Sequence, residues 1–331
     1  MHLPQTFNAA AMAPTQREHL ESLLDQIDGA AADFRSFCEK GYIAALMTWL
    51  RNPPRAMGCL QNGEKAWAVT LDEMYTQMPD DRYEIVIKEL EKSCDHTDTP
   101  ELFAPFSALD RAEKNLCLAY IDLKKDEALD PREGAFHRRK LAKLYRAILT
   151  EFPGILLSKQ DAQNYKTAVR SFKTNGDTLK SAFQKQGKDG IDTTATAFLK
   201  SVFPTEPVGE MLVSELQKPS PARGLFQTET SMLFTTQQLK NTSAEDFMCN
   251  FMHEFQHFRQ LVQIRKLEDG KLKKGSAAYY QARLFRANFR GGYLPPPPDG
   301  NPEGFHSYHF QPVEAQANQM MQAAETLKTA P

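Results

Sequence analysis

The chain is poor in the features that mark special classes of protein. Its 331 residues carry a formal charge of -2 and a pI near 6.5, so no excess of positive charge is present to hold nucleic acid. The small basic cluster Lys271, Lys273 and Lys274 is offset by Glu268 and Asp269, the pattern of a solvated helix end or turn. Cysteine is scarce and scattered: Cys38, Cys59, Cys94, Cys117 and Cys249 are odd in number and lack C-x-x-C spacing. That argues against a disulfide framework and against a thiolate zinc site, and it points to a reducing compartment. Long apolar runs are missing too. The longest, residues 41–50, is far short of the ~20 residues of a membrane span. The first residues show neither a basic n-region nor an apolar h-region, so no standard secretory signal is expected. A cytoplasmic protein, or one exported without a standard signal peptide, fits these absences.

What is present is mostly helical patterning. Leu20, Leu23, Leu24 and Ile27 recur at helical spacing, residues 66–78 and 83–90 read as helices, and Pro131 opens a helix carrying Leu141, Leu144, Ile148 and Leu149. No repeat of fixed period is visible. Residues 185–190 (KQGKDG), with charges, two glycines and no apolar side chain, are the expected boundary. Beyond them, residues 197–203 and 208–216 read as two short helices, 218–224 as a loop and 231–236 as a strand. The expected class is α+β and predominantly α-helical. A helical region of unassigned role over 1–190, able to bind a partner or simply to support the rest, precedes a domain over 191–331 with a short β-sheet.

One pattern carries chemistry. His253-Glu254-Phe255-Gln256-His257 reads H-E-F-Q-H, and side chains four apart on a helix share a face, so two imidazoles can meet one metal ion. Ser243 and Asp246 have the form of a capping box. Behind them Phe247, Phe251, Phe255, Phe258 and Val262 form an amphipathic stripe that runs unbroken to Gly270. At about 100° per residue, Asn250, His253, His257 and Gln260 fall within a sector of roughly 80° opposite that stripe. The helix is therefore expected to bury one face and turn its histidines toward an opening. Glu254 stands at the edge of the sector, where a carboxylate can meet a metal-bound water. An ordinary surface helix that happens to carry two histidines remains the plain alternative.

A catalytic zinc site needs a third protein ligand. No histidine follows closely, since residues 258–263 read F-R-Q-L-V-Q. A later helix beginning at Pro312, with Val313, Ala317, Met320, Met321, Ala324 and Leu327 on its apolar face, offers Glu314 in its first turn. A first-turn glutamate also suits the helix macrodipole without any metal. His306 and His309, in an expected loop just before, are alternative ligands. One of the two histidines His306 and His309, or Tyr308, and, more weakly, Tyr293 are candidate donors to an oxyanion, each with an ordinary packing role as the alternative. The four consecutive prolines 295–298 form a wall of a cleft or, more simply, a stiff linker.

Together these residues resemble the zincin metallopeptidases, in the glutamate-type subgroup that pairs H-E-x-x-H with a glutamate on a later helix. The order of elements is similar to that of compact catalytic domains of bacterial toxin and effector proteases. Residues 197–216 stand for the small helices, 231–236 for the strand, 243–267 for the H-E-x-x-H helix and Glu314-Ala315-Gln316-Ala317 for the downstream motif. Only H-E-F-Q-H is a sharp match; Asn318 stands where the thermolysin-like form has an aspartate, which leaves the partner of His257 unassigned. The resemblance implies a zinc-dependent endopeptidase acting on a protein or peptide, with one Zn2+ held by His253, His257 and Glu314, and Glu254 as general base. By analogy it also implies an effector secreted into a host cell. The rival readings are a zinc-binding interaction module without catalysis and a helical adaptor with an accidental motif.

Overall fold

The computed structural model describes residues 6–51, 117, 120, 121, 124–158, 161, 163, 167, 178, 181, 197, 198, 200, 203, 212–214, 225, 226, 232–235, 244–294 and 302–319. The expected helices 66–78 and 83–90, the boundary 185–190, the loop 218–224, Ser243, the prolines 295–298 and the residues beyond 319 lie outside them.

The first long helix, α1 (Pro14–Arg51), starts on a proline and buries Leu20, Leu23, Leu24 and Ile27 as their spacing predicts. Helix α2 (Pro131–Glu151) is capped by Asp130, whose Oδ1 accepts from the Arg132 amide at 2.8 Å, and it buries Leu141, Tyr145 and Ile148. Leu144 and Leu149 are only half-buried. Helix α3 (Ala244–Glu268) carries H-E-F-Q-H and ends at Gly270, whose φ of 68° lets Lys271 N–H close back on Lys266 C=O at 2.8 Å. Helix α4 (Ala277–Ala287) is capped by the Ser276 hydroxyl and runs into a wide turn, Asn288–Gly292. Helix α5 (Pro302–Phe310) and the helical residues 312–319 (α6) follow.

Among the described residues, strand pairing is confined to β1 (Leu212–Ser214), β2 (Leu225–Phe226) and β3 (Met232–Thr235), in the order β1-β3-β2. β3 runs parallel to β1, Leu233 opposite Leu212, and antiparallel to β2, Leu233 opposite Leu225. The expected α+β class is therefore corrected to a mostly helical fold. Strands of three, two and four residues fall below the usual five or six, so among the described residues the small sheet is a minor element beside the helices. Two local readings change as well. Residues 208–216, read as a helix, contain β1, because a short apolar run fits either period. His306, Tyr308 and His309 lie on α5 and not in a loop.

The chain divides into two compact units, one of Met1–Ala32 with Arg139–Pro331 and one of Asp33–Arg138. In the smaller unit the rings of Phe34 and Phe37 lie 6.0 and 5.3 Å from His137. In the larger unit the first half of α1 packs on α4. Tyr280 donates to Glu21 at 3.1 Å, Arg283 bridges Asp25 and Asp28, and the ring of Phe7 meets that of Tyr280 edge-on at 6.4 Å. Residues far ahead of position 190 thus help to build the unit that holds the H-E-F-Q-H helix. No helix among the described residues is long and apolar enough to cross a membrane.

Candidate metal centre

Helix α3 is buried over much of its middle, from Phe251 to Gln260, with His253 half-buried. Phe251, Phe255 and Phe258 are packed in the core as the stripe predicts, yet Gln256, His257, Arg259 and Gln260 are buried too. On the histidine face α6 covers the Gln260 end, where Gln260 Nε2 donates to Val313 C=O at 2.9 Å, while His253 keeps 15% of its side chain exposed. Val313 and Ala317, fully buried, supply the apolar side of α6.

The covering helix brings Glu314 to the histidines. His253 Nε2 lies 3.2 Å from Glu314 Oε2, His257 Nε2 lies 3.5 Å from Glu314 Oε1, and the two Nε2 atoms are 3.2 Å apart. One ligand atom from each of the three residues lies within 4.8 Å of the others, close enough to hold a metal ion. No hydrogen bond reaches Glu314 Oε2, although that atom is buried. Two imidazole nitrogens and an orphaned carboxylate oxygen form a donor set that suits a divalent cation, and a buried acceptor without a partner is what such a cation would satisfy.

The other oxygen, Oε1, accepts a hydrogen bond from the Tyr293 hydroxyl at 2.8 Å. Burial works to raise the Glu314 carboxyl. The adjacent imidazoles of His253 and His257 and the Tyr293 hydrogen bond outweigh it and hold the group down at about 2. Glu314 is therefore ionised throughout the ordinary pH range. Burial, followed by the charge of Glu314, pushes the Tyr293 and Tyr308 hydroxyls well above the usual phenol range, so both keep their protons. Tyr308 also feels the carboxylate of Glu254. Glu254 itself is buried, 8% exposed.

A polar network fixes the position of α6. Asn288 Oδ1 accepts from the Val313 amide at 3.1 Å, capping the helix start, while its Nδ2 donates to Gly292 C=O and to Gln311 Oε1. Gln311 pairs with both backbone groups of Leu294, at 2.8 and 2.9 Å, as a neighbouring strand would. Tyr293 sits between these anchors. On the far side Gln316 Oε1 accepts from both Gln256 and Gln260, and Gln316 Nε2 donates to Leu156 C=O. Gln256 Oε1 accepts from Arg259, which forms a buried ion pair with Asp161 at 2.7 Å.

Among the sequence candidates, the structure gathers His253, His257 and Glu314, with Glu254 and Tyr308 at the edge and Tyr293 in direct contact. His309 is exposed with Asn318 Nδ2 3.3 Å from its Nδ1, and His306 is exposed and stacked on Phe310 at 4.4 Å. Neither histidine joins the cluster. The 231–236 segment, read as a strand, contains β3, which has a neighbour on each side and so offers no free edge for pairing. Gln256, Gln316, Arg259 and Asp161 had no individual signal. The one hint was glutamine set among alanines, at Gln316 between Ala315 and Ala317, on a face expected to be apolar. Comparison with protein families, curated proteins and solved structures finds no match to the chain.

Proposed function

We propose that the chain is a zinc-dependent endopeptidase, with His253, His257 and Glu314 as ligands and Glu254 as general base. The observation that carries this reading is the convergence of the three ligand atoms within 4.8 Å, two of them on the helix that places Glu254 next to His253 and the third on α6. A zinc ion in that position supplies the Lewis acidity that makes water nucleophilic near neutral pH. The chain's residues account for the rest. Glu254, buried beside the first histidine, accepts the proton of the attacking water. Tyr308, held protonated, donates to the oxyanion that develops on the scissile carbonyl. Tyr293 stays with Glu314 and keeps that carboxylate oriented. The substrate is a protein or peptide. The helices before residue 190 that pack in the larger unit support this site.

A second reading has one observation in its favour. The side chains of His257 and Glu314 are only 7% and 2% exposed, as they would be in a closed structural metal site. Against it stands the donor set, three ligands among the described residues where closed zinc sites take four. The deciding experiment uses the full chain and its Glu254→Ala variant, with bound zinc, thermal stability and cleavage of a broad peptide library measured side by side. A peptidase keeps zinc and fold in the variant and loses cleavage by about 100-fold or more. Zinc bound in both proteins, with equally absent cleavage, would replace the peptidase by the structural reading.

A further inference from the structure

We infer that Gln260 is a positioning residue that locks His257 in the tautomer with its proton on Nδ1. The inference deepens the metal reading above and rests on it only for its consequence. It begins with the orientation of an amide. Gln260 Nε2 lies 2.9 Å from Val313 C=O and 2.8 Å from Gln316 Oε1, and a backbone carbonyl accepts only. The group facing it must be the NH2 of Gln260, because a flipped amide would set oxygen against oxygen at both contacts. Gln316 is pinned in the same way, since its own Nε2 faces Leu156 C=O and its Oε1 therefore accepts. Gln260 Oε1 is then the atom that meets His257 Nδ1 at 3.0 Å.

An amide oxygen cannot donate, so His257 Nδ1 must carry hydrogen. In the neutral ring the other nitrogen is left as a lone pair. That nitrogen, Nε2, is the one 3.2 Å from His253 Nε2 and 3.5 Å from Glu314 Oε1. The amide chain from Leu156 through Gln316 and Gln260 thus presents the His257 lone pair to the ligand cluster before any metal arrives. A partner that fixes the far nitrogen of a ligating imidazole sharpens both its orientation and its basicity. Gln260 does here what a second carboxylate would otherwise do, and it adds no charge to a buried site.

The test reads the tautomer directly. Long-range nitrogen–proton NMR spectra of the metal-free full chain at about pH 8, above the ordinary imidazole range, assign His257 by comparison with His257→Gln. The expected result is a protonated-type shift at Nδ1 and an unprotonated-type shift at Nε2. In Gln260→Met, of similar length but without a hydrogen-bonding head, the signal moves toward a mixture of tautomers. Zinc binding, followed by calorimetric titration with the metal alone, weakens by about 10- to 100-fold. Finding His257 with its proton on Nε2 in the wild type overturns the inference even if zinc binds tightly. Finding the Nδ1 tautomer with no affinity for zinc leaves the inference standing and removes the metal reading. If Gln260→Met fails to fold, the wild-type spectrum alone still decides.

Discussion

Tyr293 holds one oxygen of Glu314 at 2.8 Å while the other oxygen of the same carboxylate is buried without a hydrogen bond. This asymmetry divides the work of the group. One oxygen is committed to the protein, and the other faces His253 at 3.2 Å. Both side chains come from segments tied together by Asn288 and Gln311, so the tyrosine and the glutamate are positioned by the same anchors.

Tyr293→Phe removes the donor and leaves the second oxygen of a buried carboxylate unsatisfied. The expected cost in the metal-free protein is about 1–3 kcal/mol, read from the urea midpoint. Zinc affinity falls about tenfold or more, because the ligand loses its restraint. A variant with unchanged stability and unchanged affinity would show the hydroxyl to be idle.

Acid should expose the same carboxylate. The folded chain holds Glu314 at about 2, against an ordinary value of 4.5. A group depressed on folding adds stability above its unfolded pKa, and that increment disappears as pH falls through the folded value. The metal-free wild type is therefore expected to lose on the order of 3 kcal/mol between about pH 4.5 and 2 that Glu314→Gln does not lose. Denaturant melts at a series of pH values provide the comparison. Parallel curves for the two proteins would remove Glu314 as the source.

The turn that delivers Tyr293 depends on two glycines for different reasons. Gly291 has φ of 142°, outside the range that side chains tolerate. Gly292 is a matter of space, since a Cβ there would strike the Tyr145 hydroxyl and lie 2.8 Å from Ala287 C=O. Gly292→Ala is expected to destabilise the chain by about 1–3 kcal/mol and to weaken zinc binding through Tyr293. Near-wild-type melting of Gly292→Ala would mean that the turn yields more easily than its contacts imply.

The helix with the two histidines is legible in the sequence because its stripe of Phe251, Phe255 and Phe258 is local and periodic. Pro312 similarly marks the helix that brings Glu314. What surrounds them is not legible, because it is made by pairs far apart in the chain. Gln256 meets Gln316, Arg259 meets Asp161, and Tyr145 donates to Gly292 C=O, each across a long sequence separation. A buried glutamine has the same letter as a solvated one, and only the covering helix tells them apart. The class of the fold was missed for a related reason. An apolar β-branched run announces a strand but not its partners, and here the strands stay too short to set the class of the fold.

The ion pair of Arg259 and Asp161 gives the sharpest test of how the surrounding network supports the centre. Asp161 accepts from both the amide and the hydroxyl of Ser158, at 3.1 and 2.6 Å, and Arg259 joins it to Gln256 and lies over the ring of Phe203 at 4.9 Å. The pair is buried, so removing one partner strands a charge: Arg259→Met alone is expected to cost about 3–5 kcal/mol. Asp161→Asn keeps a polar group for Ser158 but leaves the guanidinium uncompensated, with a loss of similar size. The double variant should cost clearly less than the sum, because no unpaired charge remains, and a double-mutant cycle on urea midpoints measures the difference. Zinc affinity should fall less in Arg259→Met than in Gln260→Met, since Gln316 still takes the Gln260 hydrogen bond when Gln256 loosens. Strict additivity of the two stability losses would show that Arg259 and Asp161 act independently.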